Sequence, residues 1–217
     1  MADIFQEVDE DIRRERLEQL WRRNGPYIVA IALAILAGIG GWRGYEWWEA
    51  KQAAEAGSAF EAASALADQG KHAEATAAFA KVATEGTSGY RILARFREAG
   101  QLAQTDPKTA AELYDALAAD TSLGRTLQDL AAVRAAMILV DSAPYAQLQS
   151  RLEPLTGPEG AFRHSAREVL ALAAWRAGDN AATKRWIDAV MNDLETPPGI
   201  RSRVEVLMAL TATDSKG

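Results

Sequence analysis

Hydrophobic and polar positions follow three successive patterns along the chain. In MADIFQEVDEDIRRERLEQLWRR, Phe5, Val8 and Ile12, then Leu17, Leu20 and Trp21, recur at helical spacing with charges between them. This predicts a short amphipathic helix, with acids first and arginines last, and with Glu10–Arg14 and Asp9–Arg13 pairs. From Asn24 to Trp42, NGPYIVAIALAILAGIGGW, no residue is charged and no polar stripe survives between Tyr27 and Gly41. Beyond Lys51, helically spaced apolar positions return. They are punctuated by Gly70, Gly86 to Gly89, Asp106-Pro107, Ala143-Pro144, Gly157 to Gly160, Gly178 and Pro197-Pro198-Gly199, with almost no strand signal.

The middle pattern has the length of a bilayer: its nineteen residues rise roughly 28 Å as a helix. Aromatic side chains gather where the two interfaces would lie, Trp21 and Tyr27 before the run and Trp42, Tyr45, Trp47 and Trp48 after it. No small-x-small cleavage site closes the run, and 23 residues precede it, so an uncleaved signal anchor fits better than a cleaved signal peptide. Arg13, Arg14, Arg16, Arg22 and Arg23 precede the run, and only Arg43 and Lys51 follow closely. That bias predicts a cytoplasmic N-terminus and an external remainder. The expected division is 1–23 cytoplasmic tail, 24–48 membrane anchor with its interfacial flank, and 49–217 periplasmic helical domain. Along the anchor, Ala30, Ala34 and Gly38, with Ala37 and Gly41 beside them, form a small-residue stripe on which another helix could pack. Alanine and glycine are also common in membrane helices that have no such partner.

The third pattern has a period. Ala75-x3-Phe79 and Val82 follow the Gly70 turn, and Ala110-x3-Tyr114 and Leu117 follow Asp106-Pro107, 35 residues later. Ala182-x3-Trp186 and Ala189 follow Gly178-Asp179, 72 residues beyond Ala110. The copy over Asp141 to Leu155 keeps the length but lacks the alanine–aromatic pair. Such spacing is close to the roughly 34-residue tetratricopeptide repeat, in which the small residue lets two helices approach and the aromatic fills the groove to the next hairpin. First helices of the pairs are expected over 55–69, 90–104, 123–140 and 161–176, with a capping helix over 200–212. The fold class predicted is all-α: one N-terminal transmembrane helix followed by a tetratricopeptide-like, right-handed stack of helical hairpins.

Composition agrees with helices, since alanine supplies 45 of the 217 residues. A formal net charge of −6 argues against nucleic acid as a partner. The chain has no cysteine and two histidines, His72 and His164, and no HExxH, GxSxG or GxxxxGK[ST] motif. Neither an enzymatic activity nor a cofactor or metal site is therefore expected. His164, in Arg163-His164-Ser165-Ala166-Arg167-Glu168, fits a capping or interhelix hydrogen-bonding role better than a binding site.

This layout, with Gly41-Trp42-Arg43, Tyr45 and Trp47 closing the anchor, resembles the bacterial ancillary SecYEG translocon subunit family. Asp3-Ile4-Phe5-Gln6-Glu7-Val8, the Arg163 to Glu168 run and Ala177-Gly178-Asp179 look like its alphaproteobacterial form. The resemblance implies a single-pass protein of the inner membrane whose periplasmic domain works beside the Sec channel with a membrane-anchored periplasmic folding factor. Newly exported, unfolded chains would be its further partners. It implies no cofactor and no catalytic residue. A different class of function, a structural organiser of cell division or envelope assembly binding fixed partners, fits the same repeats. Tyr90, Arg95, Arg97 and Arg134 form either a basic, aromatic strip for a partner or an ordinary solvated face.

Overall fold

A computed structural model describes residues 3–214, with side-chain surroundings defined at 21, 22 and 24–211. The described residues contain no strand. Their helices are α1 (Asp3–Asp68), α2 (His72–Glu85), α3 (Ser88–Leu102), α4 (Pro107–Ala119), α5 (Arg125–Leu139), α6 (Tyr145–Leu152), α7 (Arg163–Arg176), α8 (Asn180–Met191) and α9 (Pro198–Asp214). Single 3₁₀ turns at Thr121–Leu123 and Glu153–Leu155 join the set. The predicted tail, anchor and first repeat helix are thus one continuous helix. Pro26 is the only proline within α1, and it removes a single N–H from the ladder. The side-chain pairings expected of residues 9–14 lie outside the described side chains.

The chain divides into two compact units, 1–52 and 53–217. In the first, Ile31, Leu33, Leu36 and Ile39 all stand exposed. A wholly apolar helix surface of this kind requires an apolar surround, and α1 is long and apolar enough to cross a membrane.

The second unit is a chain of helical hairpins with three successive cores. Ala63 of α1, Ala75, Phe79 and Val82 of α2 and Ala94 of α3 form the first. Ala99, Tyr114, Leu117, Ala131 and Ala135 form the second, between α3, α4 and α5. The third and largest joins α5 to α9 through Leu148, Leu152, Val169, Leu170, Trp186, Ile187, Val190, Val204 and Leu207. Helices pack chiefly on their neighbours in sequence, as in a linear repeat stack.

Two turns repeat the same geometry. Gly70 and Gly178 both have φ near +73°, a left-handed conformation that glycine adopts without penalty. Each closes the preceding helix with paired bonds: Gly70 N–H to Ala67 O and Lys71 N–H to Leu66 O, and Gly178 N–H to Trp175 O and Asp179 N–H to Ala174 O. This is the two-bond C-cap that satisfies terminal carbonyls. After Gly178, Asp179 caps α8 by accepting from Ala182 N–H (2.9 Å); at a separate turn Asp106 caps α4 by accepting from Thr109 N–H (3.1 Å). The third hairpin departs from the pattern. Its second helix, α6, has eight residues, because Pro144 fixes its start and Pro154 cannot continue it.

Candidate interaction surface

The alanine–aromatic positions lie where one helix meets the next. Ala75, Phe79, Ala110, Tyr114 and Trp186 are buried, and Ala182 is half-buried. Phe79 meets Phe60 edge-on at 5.3 Å between centroids, and Tyr90 also packs on Phe60 at 5.8 Å. The Tyr114 hydroxyl donates to Phe96 O (3.1 Å), and burial raises its pKa. Trp186 donates from Nε1 to the Tyr145 hydroxyl (2.9 Å). Tyr145 opens α6, so the hairpin without the alanine–aromatic pair supplies its aromatic from a different register. Sequence spacing gave no signal for that substitution.

Sequence reasoning also missed the close approaches made by two glycines on first helices. A Cβ at Gly57 would stand 2.8 Å from the Tyr90 hydroxyl oxygen, and one at Gly100 would stand 3.3 Å from that of Tyr114. A side chain at Gly57 would force the Tyr90 ring to shift, whereas one at Gly100 would press on Tyr114 by only a few tenths of an ångström.

Of the four residues considered as a partner strip, three make internal contacts. Arg95 donates to Asp120 Oδ2 (2.7 Å). The Ser122 hydroxyl and then Arg95 hold the Asp120 carboxyl down at about 2. Tyr90 is half-buried against Phe60. Arg97 is exposed, with its guanidinium 5.5 Å from the centre of the Phe79 ring, and Arg134 is exposed on α5. Burial raises the Tyr114 pKa, and the positive charges of Arg134 and Arg97 act against that rise.

The Arg163 to Glu168 run is a clasp at the end of the stack. Arg163 Nε and Arg167 Nη1 both donate to Asp193 Oδ2 (3.0 and 2.8 Å), and Arg163 also reaches Glu195. Arg163 and then burial act in opposite directions on the Asp193 carboxyl, and the result is well below the usual carboxylate range. Arg167 further donates to Thr156 O and Ala189 O (2.7 and 3.2 Å). Arg203 of α9 grips the buried Glu168 with both arms. Thr196 spends its only hydroxyl proton on Val190 O (2.8 Å), so the 3.1 Å contact with His164 Nδ1 requires the imidazole to donate. His164 is thus a donor between helices; burial and then Arg163 lower its pKa. His72 makes a comparable interhelix bond from Nδ1 to Gln101 Oε1 (2.8 Å).

On the first unit, Trp21, Tyr27, Trp42, Tyr45, Trp47 and Trp48 are exposed at the two ends of the apolar run. Trp42 donates to Glu46 (2.8 Å), and Lys51 lies 5.6 Å from the centre of the Trp47 ring. Ala30, Ala34, Ala37, Gly38 and Gly41 are exposed on the helix between them.

Helical hairpins with glycine-capped turns, alanine–aromatic contacts and sequence-neighbour packing define a tetratricopeptide-like repeat protein carrying a candidate membrane anchor. The chain matches the tetratricopeptide repeat-like domain family over residues 18–196 and belongs to that family. No curated protein and no solved structure matches it. Domains of this class serve as surfaces for protein–protein contact and are generally non-catalytic.

Proposed function

We propose that the protein is a membrane-anchored scaffold at the Sec translocon, assisting the handover or folding of exported chains. Residues 1–23 stay in the cytoplasm, 24–48 anchor the chain in the bacterial inner membrane, and 49–217 work in the periplasm. The observation that carries this reading is the extent of the family match. It starts at residue 18, ahead of the apolar run, and continues to residue 196, so one family pattern covers both the apolar run and the repeats. Arginine bias supports the orientation, and the resemblance to the ancillary translocon subunit supports the location. Tethering raises the local concentration of the stack beside a membrane channel, so weak contacts suffice. The exposed Arg97 and Arg134 face the partner.

The test is brief crosslinking in native membranes, mild-detergent purification of the tagged full chain, and the same procedure with residues 51–217. Channel subunits and a folding factor should be recovered only with the anchor present. Recovery of division or envelope-assembly proteins, equally well with the soluble piece, would replace this reading with that of a structural organiser.

A further inference from the structure

Three thioethers of the helical stack stand in contrasting surroundings. Met137 on α5 and Met208 on α9 are exposed to similar extents, 49% and 45%, whereas Met191 at the end of α8 packs against the third core. Exposure sets Met191 apart from the other two. It does not distinguish those two from each other.

Charge does. Ala131 and Ala135 turn one side of α5 into the second core, and Val133 and Ala136 turn another into the third. Arg134 and Met137 are left together on the outward face, both exposed. Three residues apart on a helix, their side chains are neighbours, and Arg134 has no ion pair among the described residues. Asp141, just beyond α5, is answered by Arg176, which donates to its carbonyl oxygen (3.1 Å). Met208 has the opposite neighbour, since Glu205 stands exposed three residues before it. Arg201, earlier on α9, is spent on Met191 O and Asp193 O (2.8 and 2.9 Å).

We infer that Met137 is a sulfoxidation site for anionic two-electron oxidants of the N-chloramine class, with Arg134 drawing the oxidant to the sulfur. The N–Cl bond breaks as chlorine passes to sulfur, and the amine nitrogen picks up a proton. A water oxygen then displaces chloride from sulfur and loses both its protons, one of which replaces the proton taken by the amine. Sulfur gives up two electrons and chlorine, leaving as chloride, accepts them. The product is a sulfoxide whose oxygen accepts from the Arg134 guanidinium, so an apolar surface group becomes a polar one. Because Met137 is exposed, the change alters the surface of α5 and leaves the two cores packed.

The experiment treats the full chain, in non-ionic detergent micelles at low salt, with N-chlorotaurine, which carries a sulfonate, or with hydrogen peroxide, which is neutral. Sulfoxide at each methionine is followed in time by peptide mass spectrometry. A unit charge about 6 Å away in water changes the local concentration of a monovalent ion about three-fold. N-chlorotaurine should therefore convert Met137 at least about three-fold faster than Met208, peroxide should convert the two at similar rates, and Met191 should lag with both. Arg134→Gln, at an exposed position, should slow the chlorotaurine reaction of Met137 about three-fold, with its peroxide rate and the circular dichroism spectrum unchanged. Equal chlorotaurine rates at Met137 and Met208, the same preference with peroxide, or a rate at Met137 that Arg134→Gln leaves unaltered would each overturn the inference. No partner enters these measurements, so their outcome is independent of the translocon reading.

Discussion

At Gly70 and at Gly178 the chain makes the same turn, yet the hairpins around the two turns are held by different chemistry. The first rests on packing: Phe60, Phe79 and Tyr90 stack across α1, α2 and α3, and the ion pair on α2, Lys81–Glu85 at 3.9 Å, is exposed and contributes little. The last adds arginine forks to its core. Arg167 serves Thr156 O and Ala189 O, Arg176 reaches Asp141 O and Ala143 O, and Arg201 serves Met191 O and Asp193 O. These carbonyls lie at or beyond helix ends, where no further turn supplies an N–H. The α1–α2 turn closes with glycine, α4 starts with an aspartate cap, and the α7–α8 turn has both. Where α6 is truncated and α9 ends the stack, guanidinium groups take over the same task.

The contrast predicts different sensitivities. Phe79→Ala should be the most damaging single change in the first hairpin, because the side chain is fully buried and its loss leaves a cavity beside the Phe60 ring. About 3–5 kcal/mol of unfolding free energy should be lost in chemical denaturation. A loss below about 1 kcal/mol would show that packing is not what holds this end.

Arg167→Ala should cost about 2 kcal/mol, since it strips bonds from the Thr156 and Ala189 carbonyls and one guanidinium partner from Asp193. Arg167→Lys should recover only part of this, because an ammonium cannot fork between Thr156 O, Ala189 O and Asp193. Full recovery by lysine would mean that charge alone matters and that the fork geometry does not.

Glycine replacement tests the feature the two hairpins share. Gly70→Ala and Gly178→Ala both force a side chain into positive φ, and each should cost about 1 kcal/mol. Similar losses would confirm that the turns are energetically equivalent despite their different neighbours. A loss confined to Gly178 would make the first turn dispensable once its aromatic core has formed.

Much of this was legible in the sequence, for reasons visible residue by residue. Helix pairs and their boundaries follow from apolar spacing and from Gly, Pro and Asp punctuation, which act locally. Ala75–Phe79 and Ala110–Tyr114 stand out because a helix turn brings both members to one face. Tyr145 escaped notice because it reaches Trp186 across 41 residues, and no local period connects them. Gly57 under Tyr90 and the carbonyl partners of Arg167 escaped for the same reason: both depend on which helices become neighbours. The single span of α1 from Asp3 to Asp68 was obscured by changes in hydrophobic pattern that do not interrupt the backbone.

The smallest predicted effect isolates His164. Burial and then Arg163 lower its pKa below 6.5 in the folded chain, so between that lowered value and 6.5 the unfolded chain binds the extra proton. Stability from this group is therefore complete above 6.5 and declines as pH falls toward the folded pKa. Asp106, Asp120 and Asp193 have depressed pKa values; their contributions disappear only in more acidic solution. Glu98 acts in the opposite sense, since burial raises its pKa above 4.5 despite the nearby Arg95. Its contribution is present at low pH and is lost as pH rises through the raised value. Comparing His164→Gln with the parent removes that background from both. The difference in melting temperature between them should be larger at pH 7.5 than at pH 5.5, both roughly one unit from the 6.5 reference. A pH-independent difference would show that the Thr196 bond survives protonation, which the geometry permits because His164 already donates from Nδ1, and that desolvation of the ring is too small to measure.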